Sequence, residues 1–432
     1  MANLSFERFV APDRVPRLTR EQCRMSFEQY PEFLDRLLGI WGPLSKQPFK
    51  GVTTDGNAVP GLFSLRDDGA PVAAAAQAAT LWLRQVPPEM LSVVSFPVNS
   101  DVWRFWQNTP LLLRPGEIEL GDMPLPLREL ALEVVRCSLS SAGYDRTRRI
   151  MANNLLLGQL NALTEILNNW AFTFSIFGTP STEAPWGWQL FGHHLALNCL
   201  FIGGQMVLSP VFMGAEPDVG TGPEMRRLFE DHEKRALAMF DSLSEQEQAE
   251  ATLYSSMLTA DQPVGRYHPD DGRTVGGAFQ DNRVVRYEGL SGADLAIDQR
   301  RKLLNLAEVF IQNMPDGPAE ARLREIERHF DQTYFAWIGK ANEVDPFYFR
   351  LHSPVALIEF DHHSGIFLAN EEPERFHIHT IVRTPNGGDF GFDLLRQHYA
   401  SGNHGEGAHG HESNQHAHLH SHDGGKTHHS HD

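Results

Sequence analysis

Cysteine is nearly absent. Cys23, Cys137 and Cys199 are the only three, far apart and in no CxxC spacing, which excludes a disulfide framework and thiolate zinc sites and suits a reducing compartment. Long apolar runs are missing too: no stretch of about 18 apolar residues occurs, as a membrane-spanning helix would require. The N-terminal "MANLSFERFVAPDRVPRLTREQ" lacks a basic-then-apolar signal pattern, so cytoplasmic residence is expected. Positive charge is scarce, with Lys and Arg outnumbered 37 to 55 and a net charge of −18. Such a chain repels phosphate backbones and anionic lipid, which argues against nucleic acid and membrane partners. No GxGxxG or P-loop glycine pattern, GxSxG elbow, HExxH helix or Cys–His nucleophile pair is present.

What is there suffices for a large core: 432 residues, 41% of them hydrophobic. Residues 1–170 read as mostly helical. Thr19 and Gln22 form a capping box ahead of "REQCRMSFEQYPEFLDRLLGIW", and Pro71 opens "PVAAAAQAATLWLRQV". Apolar three-and-four spacing predicts helices in "PLRELALEVVRCSLSSAG" and "YDRTRRIMANNLLLGQLNALTEILNN". Strand patterns follow in "AFTFSIFGTPS" and in "WGWQLFGHHLALNCLFIGGQMVLSPVFMG", a hairpin turning at Gly203-Gly204. Helices are expected over 222–243, from the Ser244 capping box, over 299–313 and over 318–333. Strands 347–361 and 377–384 and the helix "FDLLRQHY" complete the pattern. Grouped strands predict an α+β fold, a helical N-terminal region on a mainly antiparallel sheet, with residues 1–400 as one domain. The remaining 401–432 is Gly-, Ser- and His-rich with almost nothing apolar, which predicts a disordered tail able to capture Zn, Ni or Cu weakly.

The candidate chemistry starts at "HIHT". On a strand His377 and His379 project from one face, close enough for their imidazoles to converge on one metal ion. "FGHHLALN" adds His194 or His193. Adjacent strand residues face opposite ways, so one of the two is expected to share the site's face, with His194 ranked first. Trp186, Trp188, His194 and Asn198 form a mixed aromatic and polar face, which makes Trp188 and Asn198 candidate substrate contacts; core packing is the alternative. Glu359 lies within the apolar "VALIEFD", and a buried carboxylate needs a cation, an arginine or a proton, so it is a candidate ligand or base, with an Arg383 or Arg350 ion pair as the alternative. Asp361, His362 and His363 at that strand's end are expected to be solvated. Gln280, in a polar loop, and Arg383 and Asn386, beside the HxH strand, complete the candidates, as substrate contacts and, for Arg383, a catalytic group. Plain turns are the competing reading for Gln280 and Asn386.

The stretches "FGTPS", "PWGWQLFGHHLALN", "VFMGAEP", "GAFQDN…YEGL", "RLHSPVALIEFDHHSG" and "HIHTIVRTPNGGDFGFDLLRQHY" resemble the uncharacterised family called domain of unknown function 3500, over about residues 175–399. The resemblance carries no mechanism, but it implies that the GHH, IEFD and HIHT segments belong to one fold.

Histidines with a carboxylate are a common inventory for a catalytic transition metal. The expectation is a metal-dependent enzyme acting on a small molecule, leaning to an oxidoreductase with iron or copper. The alternatives are a zinc-dependent hydrolase and a non-catalytic metal-handling protein that works through the tail. Self-association into a homo-oligomer is left open.

Overall fold

The computed structural model describes residues 6–15, 17–25, 34–219, 226–268 and 271–402. The predicted His-rich tail therefore lies outside the described residues, as do 26–33 of the first predicted helix. The described helices are α1 (Asp35–Ser45), α2 (Val72–Gln85), α3 (Pro88–Val94), α4 (Leu125–Ser138), α5 (Ser141–Leu160), α6 (Glu230–Phe240), α7 (Glu245–Ala251), α8 (Ile297–Ile311), α9 (Asp316–Arg328) and α10 (Phe392–Ala400). The strands are β1 (Ser95–Phe96), β2 (Phe172–Phe177), β3 (Trp186–Gly192), β4 (Leu195–Ile202), β5 (Gln205–Ala215), β6 (Thr252–Tyr254), β7 (Leu290–Ser291), β8 (Tyr334–Gly339), β9 (Phe347–His352), β10 (Leu357–His362) and β11 (Ile378–Arg383).

Local chemistry accounts for the helix starts. Ser244 accepts a hydrogen bond from the Glu247 amide while Glu247 reaches back to the Ser244 amide, the capping box that opens α7. Thr19 and Gln22 make the same reciprocal pair, but around a turn, and the described helix begins only at Asp35. In α2 the alanines offer good helix propensity and bury one face. Trp82 on that face donates to the Leu127 carbonyl of α4 and sits edge-on to Phe174 of β2, which ties the helical region to the sheet.

The fold is α+β, built on one large, mainly antiparallel sheet ordered β1-β2-β3-β4-β5-β11-β10-β9-β8-β6, with β7 beside β8. It is two four-stranded meanders, β2 to β5 and β8 to β11, joined through the antiparallel β5–β11 pair. Almost every residue of both meanders is buried. The sheet is thus covered on both faces, and its strands read as apolar runs instead of clean alternation. None of the described helices is long and apolar enough to cross a membrane.

Three expectations need correction. The single strand predicted over 347–361 is a hairpin, β9 and β10. Ser353 accepts from the amides of Val355 and Ala356 across a tight turn, and Pro354 there has no N–H to give a ladder. The segment from Trp186 to Gly214 holds two turns, not one: Gly203-Gly204 joins β4 to β5, and His193-His194 joins β3 to β4. β8 has no counterpart among the expected strands, because the helical pattern runs up to its first residue.

Candidate metal centre

The β5–β11 junction sets the site. His379 pairs with Gly214 across this ladder, and His377 sits just before β11 begins. The third histidine arrives from the β3–β4 turn. His194 adopts the left-handed backbone region at φ 63°, which closes the two-residue turn. Its carbonyl accepts from the Gly214 amide at 2.8 Å and its amide donates to the Asn108 carbonyl at 3.3 Å. A side chain at position 214 would fill the place of the rings, since a Cβ there would come 3.0 Å from His194 Cδ2 and 3.3 Å from His379 Cδ2.

The Nε2 atoms of His194, His377 and His379 lie 3.1 to 3.2 Å from one another. Every corner of that triangle is about 1.8 Å from its centre, close to the roughly 2.0–2.1 Å of a metal–imidazole bond, so the three Nε2 atoms would be placed to hold one ion together. All three side chains are buried, and burial holds each imidazole well below its ordinary pKa, with neighbouring histidines adding to the effect. Neutral imidazoles facing one point leave lone pairs that repel unless a cation or an N–H stands between them. The three side chains can hold a metal ion.

Around them stand groups that fix and modulate the triangle. His193 lies tilted against His194 with ring centroids 3.9 Å apart, and its Nδ1 meets Asn154 Oδ1 at 2.9 Å. Burial lowers its pKa to about 3. Glu216, just past β5, has Oε1 3.8 Å from His377 Nδ1, and that oxygen accepts from the Leu368 amide at 2.8 Å. Burial raises its carboxyl to about 8, against the amides of Leu368 and Phe367. His193, His194 and Glu216 form a second group close enough to hold an ion. His363 stacks on His379 at 4.2 Å, and its Nδ1 faces Asp361 Oδ2 at 3.4 Å. The histidines are the floor of a cavity whose walls include Leu18, Leu37, Trp41, Leu111, Ile366 and Phe367.

The structure brings His377, His379, His194 and His193 together. The expectation that only one of His193 and His194 faces the site does not hold: both line the cavity, because turn residues do not obey strand alternation. Glu359 shares a face with His379, yet its carboxylate accepts from the amides of Val275 and Gly276 at 2.8 to 3.0 Å and from the Tyr348 hydroxyl at 2.6 Å. These donors satisfy it without a metal, and it belongs to neither ligand group. Arg383 is also enclosed. It pairs with Asp281 at 3.0 Å and Asp389 at 2.8 Å and donates to the carbonyls of Gly276 and Gly277.

The proposed substrate contacts lie elsewhere in the fold. Trp188 is core, donating to Ser138 Oγ at 2.9 Å. Asn198 bonds Gln189 and the Pro210 carbonyl. Gln280 closes a turn on Gly277. Asn386, at φ 58°, accepts from the Val59 amide and donates to the Pro354 carbonyl. None of the four lines the cavity. Asp361, His362 and His363 are buried, not solvated: the backbone at Gly272 packs so closely that a Cβ there would collide with Asp361 Oδ2 and His363 Nδ1.

A fold with both faces of its sheet covered and a histidine triangle at the junction of two meanders defines a protein with a buried candidate metal centre. The chain belongs to the family described as "Protein of unknown function (DUF3500)", whose model matches residues 68–392. No curated protein and no solved structure matches it.

Proposed function

We propose that the protein is a mononuclear metal enzyme that oxidises a small organic molecule with dioxygen, His194, His377 and His379 holding iron or copper. The observation that carries this reading is the convergence of the three Nε2 atoms within 3.2 Å at the floor of an apolar-walled cavity. Three imidazoles without thiolate suit iron, copper or zinc and leave coordination positions open to ligands. The sequence carries no GxSxG elbow, HExxH helix or Cys–His nucleophile pair, which favours oxidation over hydrolysis. Glu216 and the His363–Asp361 pair stand beside the ligands. Cytoplasmic residence belongs to the same proposal, and the three cysteines are free.

Zinc-dependent hydrolysis is the second reading, because a three-histidine set with water in the fourth position is also a zinc arrangement. Elemental mass spectrometry on the untagged full-length chain and on His377→Ala, both washed with a weak chelator, separates the readings. The tail is present in both, so the difference is the centre's own metal. About one equivalent of iron or copper that the variant lacks supports oxidation. Zinc in that place transfers the reading to hydrolysis, and no difference overturns the centre.

A further inference from the structure

The cavity has a polar floor and apolar sides. Its polar lining is the histidine triangle with His193, His363, Glu216, Asn108 and Thr109; the rest is apolar and includes Leu18, Leu37, Trp41, Leu111, Ile366 and Phe367. Trp41 is fully buried and braced by Phe279, ring centroids 5.1 Å apart, so this side is a fixed surface. Ile366, 43% exposed, stands where the cavity meets solvent. A ligand with a charged body would leave water for an apolar wall that offers no opposite charge among its described residues, a desolvation cost that nothing there offsets. A single oxygen donor at one end, by contrast, reaches the floor.

We infer that the cavity binds an uncharged, largely apolar molecule carrying one oxygen donor, of the phenol class, with the donor on the His194–His377–His379 floor and the body against Trp41 and Leu37. The placement of the donor rests on the metal reading above; the selection for an apolar body rests on the wall alone. The histidines lie inside the residues matched by the family, 68–392, whereas Leu18, Leu37 and Trp41 precede them. The surface that reads the ligand's body is thus partly built from a segment that the family match does not cover.

Three probes with the same phenol head test this: 4-ethylphenol, anionic 4-hydroxyphenylacetate and cationic tyramine, titrated calorimetrically into the metal-loaded full-length chain at pH 7. The inference expects 4-ethylphenol to bind at least about tenfold more tightly than either charged probe. Leu37→Ala should weaken 4-ethylphenol several-fold. Ile366→Lys, at an exposed position that keeps the fold, should improve 4-hydroxyphenylacetate relative to 4-ethylphenol by about tenfold. Equal binding of all three probes, or no binding of 4-ethylphenol by protein with its metal in place, overturns the inference. If the chain holds no metal yet prefers 4-ethylphenol and responds to both variants, the wall is upheld and the metal centre is what fails.

Discussion

Gly214 lies directly opposite His379 in the β5–β11 ladder, and the absence of a side chain at 214 is what lets the rings of His379 and His194 close over the strand. A Cβ there would also come 2.6 Å from the Ile378 carbonyl, so position 214 couples the sheet to the centre. Gly214→Ala is expected to cut retained metal at least tenfold and to lower the Tm. Elemental analysis beside thermal unfolding checks both. A variant that keeps full metal would show that the rings have more freedom than this contact implies.

The ligands and their neighbours should separate in the same assay. His377→Ala or His379→Ala removes one corner of the triangle and should cut retained metal more than any change outside it, although His193, His194 and Glu216 remain as a second group. His193→Ala removes a ring that packs against His194 and meets Asn154. Loss of such an orienting group typically costs about 10- to 100-fold in metal affinity, so this variant should still load at high metal concentration. Competition with a chromogenic chelator measures the difference. Equal loss in all three variants would make His193 a ligand.

Much of this was legible in "HIHT", because strand geometry alone puts the side chains of residues i and i+2 on one face. The GHH pair was legible as residues but not as geometry. A left-handed histidine in a tight turn leaves no periodicity to read, so alternation gave the wrong expectation for His193. Glu359 illustrates a different limit. That a buried carboxylate needs partners follows from the sequence; that these are the amides of Val275 and Gly276, more than 80 residues away, does not. Asp361 and His363 looked like a solvated strand end because the loop that covers them, around Gly272, is equally remote in sequence. Glu216 carried a weak signal, an acid closing the apolar strand "VFMGAEP", and nothing local marks it as a neighbour of His377.

Arg383 supports the fold next to the centre. Its guanidinium is fully buried between Asp281 and Asp389, and Asp281 is shared with Arg104 at 2.8 Å. Truncating it leaves the Asp389 carboxylate without a cation in the interior, Asp281 keeping Arg104, and breaking a buried pair in this way typically costs about 3–5 kcal/mol. Arg383→Ala should therefore lose stability of that order in chemical denaturation while the fraction that stays folded keeps its metal. Unchanged stability with lost activity would restore the catalytic role expected from the sequence.

Acid should act on the fold through Glu233. Burial pushes its carboxyl up, but the His362 Nε2 hydrogen bond at 2.8 Å and the charges of Arg227 and Arg375 outweigh this and hold it at about 2. A folded pKa below the unfolded one contributes stability that is complete above about pH 4.3 and fades as pH falls towards about 2. His362, which burial pushes down against the pull of Glu233, acts in the same direction, because it must take up a proton in acid. The stability gap between the wild type and Glu233→Gln should therefore be wide at pH 6 and shrink steadily below about pH 4. Denaturation curves at intervals across that range follow it, and a gap that stays constant would mean that Glu233 is not ionised in the folded protein.

The last prediction separates the two places where this chain offers imidazoles. Nearly half of its 21 histidines fall after residue 402, where imidazoles among Gly and Ser bind transition metals weakly and exchangeably. His194, His377 and His379 are instead fixed by a turn, a ladder and stacked neighbours before any ion arrives, so binding there costs little further ordering. A chain cut after Gly402 should lose the excess metal that a chelator wash removes and keep about one equivalent that survives it. The full-length chain carrying His377→Ala and His379→Ala should show the converse, exchangeable metal without the retained equivalent. If the cut chain holds no metal at all while remaining folded, the tail is the metal-handling part and the histidine triangle is a structural cluster.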